Sequence, residues 1–254
     1  MSPSEGAPGL PGDLYTSNAD IYAALALPYV ETMGPALAEI LGGEDRAPAG
    51  LPILDLGSGT GALLPRLAAL GSHPLYAVEP HPAMRAGLMA TVCATPGLAA
   101  RATVLPGTLD DAAPLLPPRL GAIVALNMLG HLDEAAYERF WALAGECLVP
   151  GGVVVIALQG PLEPAAVPWT DFGESAVGGL RYSTAGTAEP DGESMRWTMR
   201  WTVRTASGDV VEERTASTAW TIITPERLRD SATRAGLEPG PDRDNLLLFS
   251  FTRP

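Results

Sequence analysis

The run Ile53-Leu54-Asp55-Leu56-Gly57-Ser58-Gly59-Thr60-Gly61 carries the clearest chemistry in the chain. Its glycines make a loop whose backbone N–H groups can meet a ligand with no side chain in the way. Glu79 stands about 20 residues past Gly59, at the end of Leu75-Tyr76-Ala77-Val78, where a carboxylate can accept hydrogen bonds from both hydroxyls of a ribose. A second group of residues could move protons. His131 is one of 3 histidines, and an ordinary imidazole exchanges protons near neutrality, with a pKa of about 6.5. His73 precedes Pro74 in an expected surface turn, and His81 sits between two prolines. His131 has a structural alternative, bonding backbone just ahead of a helix cap at Asp133. Tyr15 and Tyr22 are either packing residues or a cover over the ligand's reactive end.

These groups need a scaffold, and the hydrophobic pattern supplies one. Pro52–Leu56, Leu75–Val78, Thr103–Leu105, Gly121–Asn127 and Val153–Leu158 read as strands that are apolar throughout. Helices are expected from Ala62 to about Leu70, over Pro82–Cys93, and after Asp133 with Tyr137, Phe140, Trp141 and Ala144 on one stripe. Apolar strands alternating with helices predict an α/β, Rossmann-like, doubly wound and mostly parallel sheet of seven strands. Ahead of it, Leu14–Leu41 reads as a helical lid with Asp20 as N-cap and a break at Pro28. Met1–Gly12 is rich in Pro, Gly and Ser, and Gly42–Gly50 reads as a linker.

After Gln159 the rhythm changes. Met195, Trp197, Met199, Trp201 and Val203 alternate with polar residues, and Val210–Ile222 follows the turn Ala206-Ser207-Gly208-Asp209. This predicts an antiparallel β insertion that covers a mouth of the sheet or pairs with another subunit as a homodimer. Pro225–Ala235 then reads as a helix capped by Gly236, and Asn245–Thr252 as a last strand. The expected organisation is a lid (1–48), a core (49–160), the insertion (161–222) and the closing helix and strands of the core (223–254).

Composition narrows the chemistry. The formal charge of −13 argues against nucleic acid, whose phosphates need clustered cations. All 16 basic residues are arginine, so Schiff-base lysines, phosphate-loop lysines and Ser-Lys dyads are excluded. No apolar run is long enough for a bilayer and no secretory leader opens the sequence, so the expected compartment is the cytoplasm. Cys93 and Cys147 lack metal-ligand spacing and read as reduced core residues. Asp110-Asp111, Asp133-Glu134 and Glu212-Glu213 lack nearby histidine or cysteine, read as caps and solvated faces, and predict no metal.

The glycine run alone would also suit a dinucleotide loop. With Asp55 before it, Glu79 after it and Leu148-Val149-Pro150-Gly151-Gly152 late in the core, the chain resembles the class I S-adenosylmethionine-dependent methyltransferases. That resemblance implies S-adenosyl-L-methionine as cofactor. It implies that Gly57, Ser58 and Gly59 line its methionine part, that Asp55 fixes the loop from behind and that Glu79 holds the ribose. Pro80 and Met84 would flank the adenine. Thr108, before Leu109, stands where the family commonly has an acidic residue, which leaves adenine to its hydroxyl, to Asp110 or to backbone. Leu126 and Asn127 would close the site near the sulfonium.

Tyr15 with Ala19-Asp20-Ile21-Tyr22, Leu129-Gly130-His131-Leu132, and Trp220-Thr221-Ile222-Ile223-Thr224-Pro225-Glu226 resemble in order the small-molecule N-methyltransferases of nucleotide-linked aminosugars. The implied activity is methyl transfer to N or O of a small molecule in specialised metabolism; His131 is the candidate base, and Tyr15 the second catalytic candidate. Two other readings are a cofactor-binding protein that catalyses a cyclisation or rearrangement, and a non-catalytic partner subunit. Trp169, Tyr182, Trp197 and Trp201 either wall an acceptor pocket or pack a sheet face.

Overall fold

The computed structural model describes residues 15–42, 50–192 and 194–254. The Pro/Gly/Ser-rich stretch Met1–Gly12 and most of the Gly42–Gly50 linker lie outside the described residues. Seven strands form the main sheet: β1 (Ile53–Leu56), β2 (Leu75–Glu79), β3 (Ala102–Pro106), β4 (Leu120–Leu126), β5 (Leu148–Ala157), β10 (Glu238–Pro239) and β11 (Leu248–Thr252). Their order is β10-β11-β5-β4-β1-β2-β3. Strands β1 to β5 are parallel, while β11 runs antiparallel to β5 and β10 to β11. Because β1 has β2 on one side and β4 on the other, the chain reverses direction across the sheet there. A crevice opens at the carboxyl ends of those strands, where such sheets bind ligands.

Alternate residues of each strand feed opposite cores, as a pleat of period 2 requires. Leu54, Val78, Ile123 and Val154 pack with Tyr137, Phe140 and Trp141 of α5 (Glu134–Cys147). Ile53, Ala77, Val124 and Val155 pack with Leu67 of α2 (Leu64–Ala69), with Leu88 and Val92 of α3 (Pro82–Ala94), and with α1 (Ala19–Leu41). Both faces are covered, which is why β1 is buried at every position.

The structure departs from the expected elements in a few places. α1 is continuous through Pro28 and Pro35. Pro28 lies on its exposed side, where a carbonyl that loses its helical donor can turn to water. Asn18 and not Asp20 precedes the helix, and Asp20 in its first turn accepts a bidentate pair from Arg214 at 2.7 and 3.1 Å. The Leu148–Gly152 segment is the start of β5 and not a separate turn, with Gly151 at φ 78° and a register shift against β4. His73 is buried and its Nδ1 bonds the Leu51 carbonyl at 2.8 Å. Cys93 is exposed and not in the core.

The second sheet is antiparallel in the order β6-β7-β8-β9: β6 (Val167–Val177), β7 (Leu180–Asp191), β8 (Ser194–Thr205) and β9 (Val210–Thr221). Its first strand went unread in the pattern because almost every side chain on it is exposed and two irregularities break its register with β7. The alternation on β8 is as expected, with Met195, Trp197, Trp201 and Val203 buried. Arg214 on β9 ties this sheet to the start of α1 through Asp20 and the Ser17 carbonyl. Among the described residues no helix is long and apolar enough to cross a membrane.

Candidate active site

The turn after β1 is set by strand register. The Gly57 and Ser58 N–H groups both donate to the Val78 carbonyl, at 2.9 and 3.0 Å, so the loop starts where β1 and β2 stop pairing. Gly61 has φ +79°, and a Cβ on it would stand 2.7 Å from Leu88 Cδ1. Only glycine gives both that conformation and that close approach of α3.

Glu79, buried at the end of β2, holds this loop. Its Oε2 accepts the Gly59 N–H and its Oε1 the His81 N–H, each at 2.8 Å. Burial raises its pKa, opposed by those two bonds and by Arg85. A carboxylate has about four acceptor positions, so two remain. Asp55 is also buried. Burial, with a smaller push from Glu79, raises its carboxyl to about 7 against a contact from Ser58. Its Oδ2 has no hydrogen-bond partner.

One cavity of about 930 Å³ runs from this loop to the second sheet, at the upper end of the ~300–1,000 Å³ usual for small-molecule sites. Tyr15, Tyr22, Asp55, Gly57, Ser58, Gly59, Glu79, Pro80, Met84, Thr108, Leu109, Leu126, Asn127 and His131 all lie on its wall. The fourteen are brought together from the lid and the ends of β1 to β4. Tyr22, Leu25, Ala26 and Tyr29 of α1 face it at helical spacing. Asn127 holds φ 51° just beyond β4, a left-handed conformation uncommon outside glycine. Thr108 caps the short helix α4 (Leu109–Ala112), its N–H and hydroxyl both donating to Asp111 Oδ2 at 2.8 Å. Asp110 pairs instead with Arg139 at 2.6 Å and does not line the cavity.

The far half is polar at one point. Tyr15 Oη lies 2.6 Å from His131 Nε2. His131 ends a 3-10 turn, Leu129–His131, and its ring meets the edge of Trp220 at 4.6 Å between centroids. Burial lowers its pKa to about 4. Burial, Tyr22 and Glu79 together hold the Tyr15 phenol well above its usual range, and burial pushes Tyr22 up to about 12. Both tyrosines also pack with Ile21 and Trp201, so they serve as core and as wall.

Trp197 and Trp201 line the cavity, whereas Trp169 and Tyr182 do not. Trp169 lies under the Arg200 guanidinium at 5.0 Å. Tyr29, Gln159, Phe172, Thr184 and Met199 also line it and were missed in the sequence. On β8, period 2 assigned Met199 a face but not the partner that face meets, while Tyr29 on α1, Gln159 after β5, Phe172 on β6 and Thr184 on β7 carried no local signal of the cavity. Among the described residues no three His, Cys, Asp or Glu side chains gather as metal ligands would.

Residues 53–152 match the family described as "Methyltransferase domain". No curated protein matches the chain in sequence. Among solved structures, DesVI of Streptomyces venezuelae superposes with a TM-score of 0.74 at 19% identity, over 94% of this chain and 98% of that one. CalS10 of Micromonospora echinaspora, an amino pentose methyltransferase with bound SAM, does so at 0.68 and 22%, over 99% and 100%. The sugar N-methyltransferase KedS8 of Streptoalloteichus does so at 0.67 and 22%, over 100% and 97%. Residues 53–152 thus match a methyltransferase domain, and the chain shares its fold with these methyltransferases over almost its whole length.

Proposed function

We propose that this chain is an S-adenosylmethionine-dependent N-methyltransferase acting on a small-molecule amine, in natural-product sugar chemistry of the kind for which CalS10 and KedS8 are named. The wall fits the cofactor's charge and shape. Asp55 and Glu79 supply two buried carboxylates and, among the described residues, no arginine lines the cavity, which suits a ligand carrying a sulfonium and an ammonium. When bound, S-adenosylmethionine supplies a methyl carbon activated by positive sulfur.

In this reading the two free acceptor positions of Glu79 take the ribose hydroxyls. Gly57, Ser58 and Gly59 lie along the methionine part, with Asp55 behind them as its counter-charge. Pro80 and Met84 flank the adenine. Its edge falls to backbone beside Leu109, since the Thr108 hydroxyl is spent on its cap. Leu126 and Asn127 close the wall toward sulfur, and Tyr15 and Tyr22 cover it. Proximity and alignment of this kind supply ~7–11 kcal/mol.

The observation that carries the choice of nitrogen is the Tyr15–His131 pair. A hydroxyl acceptor must give up its proton to a base, and an imidazole held at about 4 is a poor base for that task. An amine needs only to be uncharged, and the same burial that keeps His131 neutral favours the neutral amine. Tyr15 Oη, held by neutral His131 Nε2, positions the amine so that its lone pair faces the methyl carbon, and as the N–C bond forms the nitrogen becomes an ammonium that gives its surplus proton to solvent on release.

The charge of −13 supports a partner that is not nucleic acid. Two unpaired cysteines are in keeping with the reducing cytoplasm. Exposed Trp169, Val177, Val210 and Val211 on the two edge strands of the second sheet support a homodimer through that sheet. Calorimetry with S-adenosylhomocysteine, followed by transfer of a labelled methyl group to a panel of amines, tests the function. Binding without transfer to any acceptor rejects the enzymatic reading, and absence of binding rejects the cofactor.

A further inference from the structure

Besides the residues assigned to the cofactor, the cavity wall carries Tyr29, Phe172, Thr184, Trp197, Met199 and Trp201. This set is largely aromatic, and among the described residues no arginine lines the cavity. The lack follows from strand pleat. Trp197, Met199 and Trp201 face the cavity, so Arg196, Arg200 and Arg204, interleaved with them on β8, point to the opposite face. Their contacts agree: Arg196 pairs with Asp191, Arg200 lies over Trp169, and Arg204 donates to the Gly208 carbonyl.

The other arginines nearby are also held elsewhere. Arg214 is bound by Asp20 and Glu212, and Arg85 by the carbonyls of Glu79 and Pro80. The sequence has no lysine, and of its 16 arginines only Arg46 lies outside the described residues. A nucleoside diphosphate is held by guanidinium forks, ammonium groups or bound cations placed on its oxygens. Among the described residues the cavity offers no such group, and its two carboxylates, Asp55 and Glu79, belong to the cofactor end, within a molecule of charge −13 that repels anions at long range. Flat indole and phenol faces suit an apolar body or a single ammonium.

We infer that the acceptor is an amine on an uncharged, apolar or aromatic body, such as a sugar already joined to its aglycone, and not an amine carried on a nucleoside diphosphate. The inference rests on the methyl-transfer reading, and it parts from the nucleotide-linked sugars to which the sequence resemblance pointed. It also places the reaction after a glycosyl transfer or condensation has removed the nucleotide.

The test compares two probes on the full-length protein saturated with S-adenosylhomocysteine, whose own binding is measured first by calorimetry. One probe is the p-nitrophenyl glycoside of 4-amino-4,6-dideoxyglucose, and the other is the thymidine diphosphate ester of the same sugar. Quenching of tryptophan fluorescence on that complex gives binding, and labelled methyl transfer, run separately with S-adenosylmethionine in place of S-adenosylhomocysteine, gives kcat/KM. The aryl glycoside is expected to bind saturably and to exceed the nucleotide ester by ~10-fold or more in both. Equal or tighter binding of the nucleotide ester overturns the inference, as does failure of both probes on a protein that binds S-adenosylhomocysteine. Failure to bind S-adenosylhomocysteine strikes the methyl-transfer reading itself.

Discussion

The hydroxyl of Tyr15 stands 2.6 Å from His131 Nε2 although 116 positions separate the two residues. Tyr15 comes from the segment leading into α1 and His131 from the turn after β4, so this one bond joins the lid to the parallel sheet. Trp220 of the second sheet packs on the same imidazole. All three parts of the fold therefore meet at His131.

Tyr15→Phe and His131→Ala are each expected to lower turnover ~10²-fold, the scale of a reacting group misplaced by about 1 Å, with S-adenosylmethionine affinity within a few-fold of the parent. Because burial holds His131 at about 4, it is neutral across the working range. The acid limb of kcat/KM should follow the acceptor's amine and stay in place in His131→Ala. A limb near 6.5 that vanishes in that variant would show an exposed, titrating imidazole instead.

Glu79→Ala removes the acceptors of the Gly59 and His81 N–H groups as well as those offered to a ribose. Cofactor affinity should fall by ~1–3 kcal/mol, and the melting temperature of the ligand-free protein should fall too. Calorimetry and thermal denaturation read these separately. Unchanged affinity with a lowered melting temperature would reduce Glu79 to a loop anchor.

Asp55 links stability to pH. Its carboxyl is raised from 3.8 to about 7, so between those values the folded chain keeps a proton that the unfolded chain has lost. Its contribution is full below about 4, declines as pH rises through 7, and is constant above. Asp55→Asn should raise the melting temperature at pH 8 by roughly 2–8 °C, from about 1–2 kcal/mol of relief, and by nothing at pH 4. A cationic cofactor favours the ionised carboxyl, so parent affinity for S-adenosylmethionine should rise between pH 6 and 8 with proton release. A gain from Asp55→Asn independent of pH would contradict this account.

Gly130 precedes His131 for a steric reason. A Cβ there would lie 2.1 Å from Trp220 Cε2, an overlap that one rotamer change does not relieve. Gly130→Ala should separate the 3-10 turn from the second sheet, lower the melting temperature and cut turnover more than cofactor binding. The double variant Gly130→Ala/Trp220→Ala should recover part of the stability. Wild-type melting behaviour in Gly130→Ala would mean that this contact does not fix the turn.

The sequence was most informative where local chemistry is one-valued. A glycine run between an apolar strand and a helix, and a carboxylate at the next strand end, specify the β1–β2 crevice because few backbones satisfy them. The apolar strands reported a sheet covered on both faces for the same reason. Long-range pairing left weaker traces. Trp201 and Trp220 read only as sheet residues, since period 2 assigns a face and not the neighbour it meets. α1 runs through Pro28 because tertiary burial of Ile21, Val30, Met33 and Leu37 on one side outweighs a lost hydrogen bond on the exposed side. β6 escaped notice because its solvent-facing residues carry no hydrophobic rhythm. Arg214 and Asp20, 194 positions apart, had no local signal at all.

The most direct measurement of the central claim is transfer of a labelled methyl group from S-adenosylmethionine to a matched pair of p-nitrophenyl glycosides, one bearing an amine and the other a hydroxyl at the same carbon. The account predicts mass-spectrometric gain of one or two methyl groups on the amine and none on its hydroxyl twin, with transfer falling ~10²-fold in Tyr15→Phe. Methylation of the hydroxyl compound in preference to the amine, or no transfer to either by a protein that binds the cofactor, would contradict it.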